Sequence, residues 1–199
     1  MRLDFEDHRK DPAAWARSLD VSKEAVDLYL ASEVIDLHID SFIWTRVWGY
    51  DLTERHDHGL LRANFYSQVD FPRILEAQVT GATWVITTNP FKVQSERTTA
   101  FRNNLAQLES IFQSVSEQFS VVRTAAQYRA ARAQGKHGAF LGIQGGNALE
   151  ESKAALESYL DDRILRVTLV HLTESGLGQT SSPLGSRKDT GLTARGREV

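Results

Sequence analysis

The segment "EVIDLHIDSF" (Glu33–Phe42) decides what fold the rest of the chain is expected to adopt. It is rich in apolar and β-branched residues, which predicts a strand whose successive side chains lie on opposite faces. Two sets of residues then point in opposite directions: Ile35, Leu37 and Ile39 on one face, and Asp36, His38 and Asp40 on the other. The polar face either keeps a half-exposed strand soluble or belongs to a functional site.

Strand and helix patterns alternate after this segment. Strand-like runs follow at residues 82–88, 119–124, 138–146 and 164–172, with helical patterns between them at residues 70–81, 95–118, 124–135 and 148–162. Strands separated by helices of this length indicate βαβ units and a parallel sheet. Asp70 is expected near the start of its helix and Gly81 just past its end, and Thr124 is a candidate cap for the helix at residues 124–135. Residues 41–67 are predicted to form a long loop.

Five strands in 199 residues suit either the first part of an eight-stranded α/β barrel, which usually takes about 250 residues, or an open five-stranded sheet. We expect one partial barrel domain over residues 1–199, truncated after about five strands, with an N-terminal helical extension at residues 1–32. Asp11 is expected to cap the first helix of this extension. Residues 173–199 are predicted to form a polar loop followed by the start of another helix at Thr193.

The composition excludes several kinds of function. The chain is 41% hydrophobic with a net charge of −3 and has no cysteine, which rules out disulfides, zinc–thiolate sites and cysteine nucleophiles. It shows no excess of basic residues of the kind that binds nucleic acid and no apolar run long enough to span a bilayer. Its charged N-terminus shows no secretion signal. A glycine-rich nucleotide loop and a serine-hydrolase elbow are also missing. We therefore expect a cytoplasmic protein with no nucleic-acid partner and no membrane span.

Polar residues lie where predicted strands end, which is where α/β folds place their ligand sites. His38 and Asp40 share one face of the first strand, so they either bind a divalent metal such as zinc together or hydrogen-bond to loop backbone. Gln144 ends the fourth strand before two glycines and either contacts a ligand or simply precedes a turn. His171 ends the fifth strand and is either structural or functional.

The other histidines give weaker signals. His137 precedes the fourth strand at the opposite end from the expected site, which favours a structural role. His56 and His58 flank Asp57 in the long loop, where a solvated charged segment is the better interpretation than a metal site.

A series of segments resembles the membrane (renal) dipeptidase family of zinc metallopeptidases. They follow the order of the family's motifs from about Val34 to the last residue: "VIDLHID", "VDFPRILEAQVTGATWVI", "GKHGAFLGIQGGNAL", "LRVTLVHLTESGLGQTSS" and "GLTARGREV". Each segment alone is moderately specific, whereas the ordered series is strong. The resemblance implies a TIM-like (β/α)₈ barrel in which the polar face of the first strand lies at the catalytic mouth and its apolar face packs against the helices.

The resemblance also implies a chemistry. Members of the family hydrolyse the amide bond of short peptides, mostly dipeptides, with two zinc ions that activate a bridging water. His38 and Asp40 correspond to the first zinc ligands, and Gln144 stands in the position of the Glu that bridges the two ions. Asn147, His171 and Trp84 are assigned to substrate binding, with Asn147 in place of a family histidine.

These departures leave three hypotheses open. The first is a metal-dependent dipeptidase with zinc as its cofactor and a small peptide as its substrate. The second is a degenerate member that binds a peptide or amino-acid derivative without cleaving it, because a neutral carboxamide at Gln144 holds two adjacent dications poorly. The third is a partial barrel whose unpaired sheet edges lead to a homo-oligomer. Because the remaining family ligands lie beyond Val199, the 199-residue chain alone is expected to be inactive.

Overall fold

The computed structural model describes residues 1–56, 69–88, 94–150, 163–183, 185 and 191–198. The strands in this part of the chain are β1 (Ile35–Ile39), β2 (Gly81–Thr87), β3 (Phe119–Val121), β4 (His137–Gln144) and β5 (Arg166–Thr168). The α-helices are α1 (Pro12–Leu19), α2 (Lys23–Ala31), α3 (Phe42–Trp48), α4 (Phe71–Glu76), α5 (Gln94–Ser114), α6 (Ala125–Ala133) and α7 (Ala194–Glu198). Short 3-10 helices span His8–Lys10 and Gly146–Leu149. The helix expected over residues 148–162 lies mostly outside the described residues.

One parallel sheet organises these elements, as the alternation of strand and helix patterns predicts. β4 lies between β2 and the short strands β3 and β5. β3 pairs with the start of β4, and β5 pairs with its end, so both short strands lie along the same edge. The carboxyl ends of β2, β4 and β5 meet where Thr87, Gln144 and Thr168 lie side by side. This arrangement places the side chains that end these strands at one edge of the sheet.

Aromatic residues fill the core between the sheet and the helices. The Phe71 ring of α4 meets the Trp84 ring of β2 edge-on at a centroid distance of 5.2 Å, and Phe112 of α5 meets Trp84 at 5.6 Å. All three side chains are essentially inaccessible to solvent. Because Trp84 packs with α4 and α5, the alternation along β2 turns Thr87 toward the opposite face. The helix-facing side of β2 is therefore core, and its other side is available for a site.

Several helix caps agree with the sequence analysis. The Asp11 carboxylate accepts a hydrogen bond from the Ala14 amide at 2.9 Å and caps α1. The fully buried Asp70 caps α4, accepting from the Arg73 amide at 2.9 Å and from the Arg73 Nε at 2.7 Å. Thr124 and Gln127 form a reciprocal capping box at the start of α6. The local rules of helix capping therefore hold in this chain.

The prediction that Gly81 lies just past the end of a helix is wrong. The helix ends at Glu76, and Gly81 is the first residue of β2. A Cβ at Gly81 would approach the Tyr128 ring to 2.9 Å, so the glycine allows α6 to pack closely against the sheet.

The long loop predicted for residues 41–67 contains α3, and the prediction is wrong for that part. Trp44 and Trp48, one turn apart, stack at a centroid distance of 4.8 Å. Gly49 ends the helix with a φ of +69°, a left-handed conformation that glycine adopts without strain. These tertiary and capping contacts stabilise a helix too short to be evident from periodicity.

β1 does not follow the simple alternation expected of it. Its pairing with β2 shifts register between Asp36 and Ile39, which inserts an extra residue into the strand. Asp36 accepts a hydrogen bond from the His38 amide at 2.7 Å and so serves the backbone. Only Ile39 of the apolar set is in the core, while Ile35 is 37% and Leu37 70% exposed. The expectation that all three pack against helices is therefore wrong, because the extra residue places Ile39 beside Trp84 on the core face of the sheet, whereas Ile35 lies beside Gly81 on the opposite face.

No helix among the described residues is both long and apolar enough to cross a membrane.

Candidate active site

Five side chains from separate strands and loops meet at the carboxyl edge of the sheet. They come from the ends of β1, β2 and β4 and from the segment after β5, and they are His38, Asp40, Thr87, Gln144 and His171. We call this group the strand-end cluster. Gln144 lies at its centre, with its Oε1 3.1 Å from the Nε2 of His38 and its Nε2 2.8 Å from the Nε2 of His171.

The hydrogen bonds of the cluster form a chain that runs, from donor to acceptor, from Arg166 through His38 and Gln144 to His171. The Arg166 guanidinium donates to the Nδ1 of His38, so a neutral His38 carries its proton on Nε2. That proton is donated to the Gln144 Oε1, and the Gln144 amide nitrogen donates to the Nε2 of His171. Each imidazole nitrogen that faces Gln144 therefore already has a protein partner. This chain of hydrogen bonds holds the two histidines in place by itself.

Asp40 is the acidic member of the cluster. Burial raises the pKa of its carboxyl group, while a hydrogen bond from the Thr87 hydroxyl and the charges of His38, Arg46 and His171 lower it in part. A half-buried carboxylate surrounded by basic groups is able to accept a proton or to serve as an oxygen ligand.

Arginines flank the cluster on both sides and were missed by the sequence analysis, as was Thr87. Arg46 donates to the Thr87 carbonyl at 2.8 Å, and burial lowers the pKa of its guanidinium. Arg166 donates to the Leu37 carbonyl at 2.5 Å and thereby ties β5 to β1. An arginine inside the apolar run of β5 was a visible signal for Arg166. Arg46 lies in the stretch interpreted as loop and offered no comparable signal.

Asn147, which the resemblance assigns to substrate binding, has hydrogen-bond partners outside the cluster. Its amide is buried and donates to the Glu174 carbonyl at 3.0 Å and to Glu150 at 3.3 Å. Gly145 adopts a φ of +93°, and a Cβ at Gly146 would lie 2.6 Å from the Leu169 carbonyl oxygen. The two glycines thus permit the close backbone approach expected of them, and Asn147 joins the segments after β4 and β5.

Trp84 and His137 are core residues. The Trp84 indole donates to the Nε2 of His137 at 3.3 Å, and the Nδ1 of His137 donates to the Val79 carbonyl at 2.9 Å. Burial lowers the pKa of His137 to about 4. His137 is therefore structural, as expected, whereas a substrate contact by Trp84 stays a prediction that no observed contact supports.

His56 also has a structural setting. Its ring stacks on Tyr50 at a centroid distance of 3.9 Å, and its Nε2 lies 2.7 Å from the Asp51 carbonyl oxygen. Asp57 and His58 lie outside the described residues.

The donor groups of the cluster meet only part of the needs of a zinc centre. Zinc in catalytic sites takes three protein ligands, usually imidazole nitrogens and carboxylate oxygens. Among the described residues, no group of three or more histidine, cysteine or acidic side chains is placed to hold a metal. His38 and Asp40 supply one nitrogen and one oxygen donor, and Gln144 turns an N–H toward His171 where a bridging carboxylate would offer an oxygen. These residues fit part of a site for one ion and do not fit a two-metal centre.

Comparisons with known proteins give the same family as the motifs. The model of the membrane dipeptidase family (peptidase family M19) matches residues 22–199. A solved structure described as an amidohydrolase from Pseudomonas aeruginosa is 24% identical and covers 86% of this chain and 43% of its own, with a TM-score of 0.59. A structure described as dipeptidase AC, a metallopeptidase of family M19, is 21% identical and covers 83% and 52%, with a TM-score of 0.66. The probable dipeptidase PvdM from Pseudomonas aeruginosa is 14% identical and covers 88% and 45%, with a TM-score of 0.68.

The solved structures show that the parallel sheet has the TIM-like barrel fold of these proteins, as the resemblance implies. The chain spans about half the length of the solved structures that it matches. The family match covers the strands, the strand-end cluster and the segment that follows β5. The chain therefore belongs to the membrane dipeptidase family, peptidase family M19.

Proposed function

We propose that the protein is a metal-dependent hydrolase that cleaves the amide bond of dipeptides. The observation that carries the proposal is the convergence of His38, Asp40 and His171 at the carboxyl ends of the strands. This is the usual location of active sites in this fold. The family match supports this reaction class.

The residues of the cluster have distinct parts in this proposal. His38 and Asp40 would hold a single divalent ion, which when bound polarises a carbonyl and lowers the pKa of a water ligand. Thr87 orients the Asp40 carboxylate through its hydroxyl. His171 lies on the far side of Gln144 and would exchange a proton with a bound peptide. Gln144 holds the two imidazoles at a fixed separation.

A second function has a specific observation in its favour. The chain of hydrogen bonds from Arg166 through His38 and Gln144 to His171 satisfies both imidazoles with no metal. Such a cluster suits a protein that binds a small peptide or amino-acid derivative without cleaving it. The two functions share a site and differ in whether an ion is held.

Metal content and hydrolysis measured on the complete gene product separate the two functions. Protein purified without chelators would be assayed for zinc by elemental analysis and for cleavage of a dipeptide panel by mass spectrometry, with Asp40→Asn as the matched variant. About one zinc per chain, with cleavage lost in Asp40→Asn, is the expected result. Dipeptide binding with neither zinc nor cleavage would establish the second function, and two tightly held zinc ions would contradict the interpretation of Gln144.

A further inference from the structure

A cavity of about 340 Å³ lies between α3, the end of β2 and α5. Its polar lining consists of Arg46, Thr87, Thr88, Arg97, Asn103 and Asn104. Two of these residues also belong to the surroundings of the strand-end cluster, since Thr87 donates to Asp40 and Arg46 donates to the Thr87 carbonyl. The cavity therefore adjoins the cluster, with Thr87 belonging to both.

Arg46 has binding capacity that the described residues do not use. Its Nε is buried and has no hydrogen-bond partner, and its guanidinium forms no ion pair within the described part of the chain. A buried N–H without a partner costs free energy, and a guanidinium binds a carboxylate through two parallel hydrogen bonds. Arg46 also lines the cavity, so an anion there would meet its guanidinium.

Arg97 adds a second cation, but its charge is partly compensated. It lies 3.4 Å from the Glu150 carboxylate, and both side chains are mostly buried. No acidic side chain among the described residues lines the cavity itself. The charge of Arg46 is itself partly balanced by Asp40, so among the described residues only a modest positive charge remains for a ligand, which favours a single carboxylate group over the more highly charged phosphate group of a monoester. Asn103 and Asn104 offer amide donors for the same group.

We propose that this cavity binds the carboxylate of a small acidic ligand, with Arg46 as its principal partner. As a binding site the proposal stands on the cavity alone. As a statement about substrates it rests on the proposed function. Arg46 and Thr87 lie between the cavity and the cluster, so an acidic side chain of a peptide would enter the cavity while the amide bond of the peptide lies at the cluster.

Binding of glutarate, measured by calorimetry on the complete gene product, tests the site without reference to hydrolysis. Inorganic phosphate is the second probe. We expect saturable glutarate binding that weakens at least about tenfold in Arg46→Gln, because a charge-assisted pair of hydrogen bonds is lost. Arg129→Gln, which removes the same charge from the exposed face of α6, is the matched control and should bind as the wild type does.

Ala100, which also lines the cavity on α5, provides a variant that does not remove Arg46. Ala100→Glu should abolish glutarate binding and raise the melting temperature relative to Ala100→Gln, because the new carboxylate occupies the position of the ligand. Equal binding by wild type and Arg46→Gln, or tighter binding of phosphate than of glutarate, would overturn the proposal. Absence of glutarate binding by the wild-type protein, with dipeptide cleavage intact, would refute this site and leave the proposed function standing.

Discussion

Acid should destabilise the fold through His137. This imidazole is fully buried, and its pKa falls from 6.5 to about 4 because burial disfavours the charged form. The unfolded chain therefore binds a proton between these two values that the folded chain does not. The contribution of His137 to stability is complete above about pH 6.5 and is lost as the pH falls toward 4. A difference of two to three pKa units corresponds to about 3 kcal/mol of unfolding free energy.

Urea unfolding of the complete gene product at several values between about pH 7.5 and 4 would measure this effect. His137→Gln is the matched variant, because glutamine keeps a donor for the Val79 carbonyl and an acceptor for the Trp84 indole but does not titrate. We expect wild type to lose about 3 kcal/mol more than the variant across this window. Asp40 has a raised pKa and acts in the opposite direction, so the difference between the two proteins is the informative quantity. Parallel pH profiles would refute the assignment of a buried neutral His137.

Other predictions concern the site and its glycines. Gln144→Glu should raise zinc affinity at least tenfold, as measured by competition with a chelator, because a carboxylate replaces a neutral amide; an unchanged affinity would contradict this. Gly146→Ala should lower the unfolding free energy by about 2–3 kcal/mol in the same urea assay, because its Cβ would meet a backbone oxygen. Gly135→Ala should lower it by about 1 kcal/mol, because Gly135 has a φ of +73° but open space around it. Thr87→Val should raise the pKa of Asp40 further because the carboxylate loses its hydroxyl donor, and an NMR titration that finds no increase would argue against that contact.

Much of the fold could be predicted because its signals are local. Asp11, Asp70 and Thr124 each sit at a helix start and act there through residues only three positions away. The strand patterns are also local, since they depend on which side chains alternate along a short segment. Gly81 misled the prediction because a glycine that ends a helix and a glycine that permits close packing look the same in sequence. Only the position of Tyr128, 47 residues later, distinguishes them.

The candidate site could be predicted only in part. His38, Asp40 and Gln144 were found because strand ends converge in any parallel α/β fold. The prediction that His171 ends the fifth strand is wrong, because β5 ends at Thr168 and His171 joins the cluster from the segment that follows. Their hydrogen-bond partners were not found, because contacts such as that between Arg166 and His38 span 128 positions of sequence. Asn147 shows the same limit, since its hydrogen bonds to Glu150 and Glu174 were not foreseen, and its contact with a substrate stays a prediction.

The sequence by itself determined the parallel α/β architecture, the helix caps and the family, because each depends on short segments and on their order along the chain. Only the tertiary structure decided the register shift in β1, the position of Gln144 between two histidines and the cavity beside Arg46. The physical reason is that hydrogen bonding between distant side chains depends on how the strands are paired and how far the sheet curves. These quantities are properties of the packed chain as a whole.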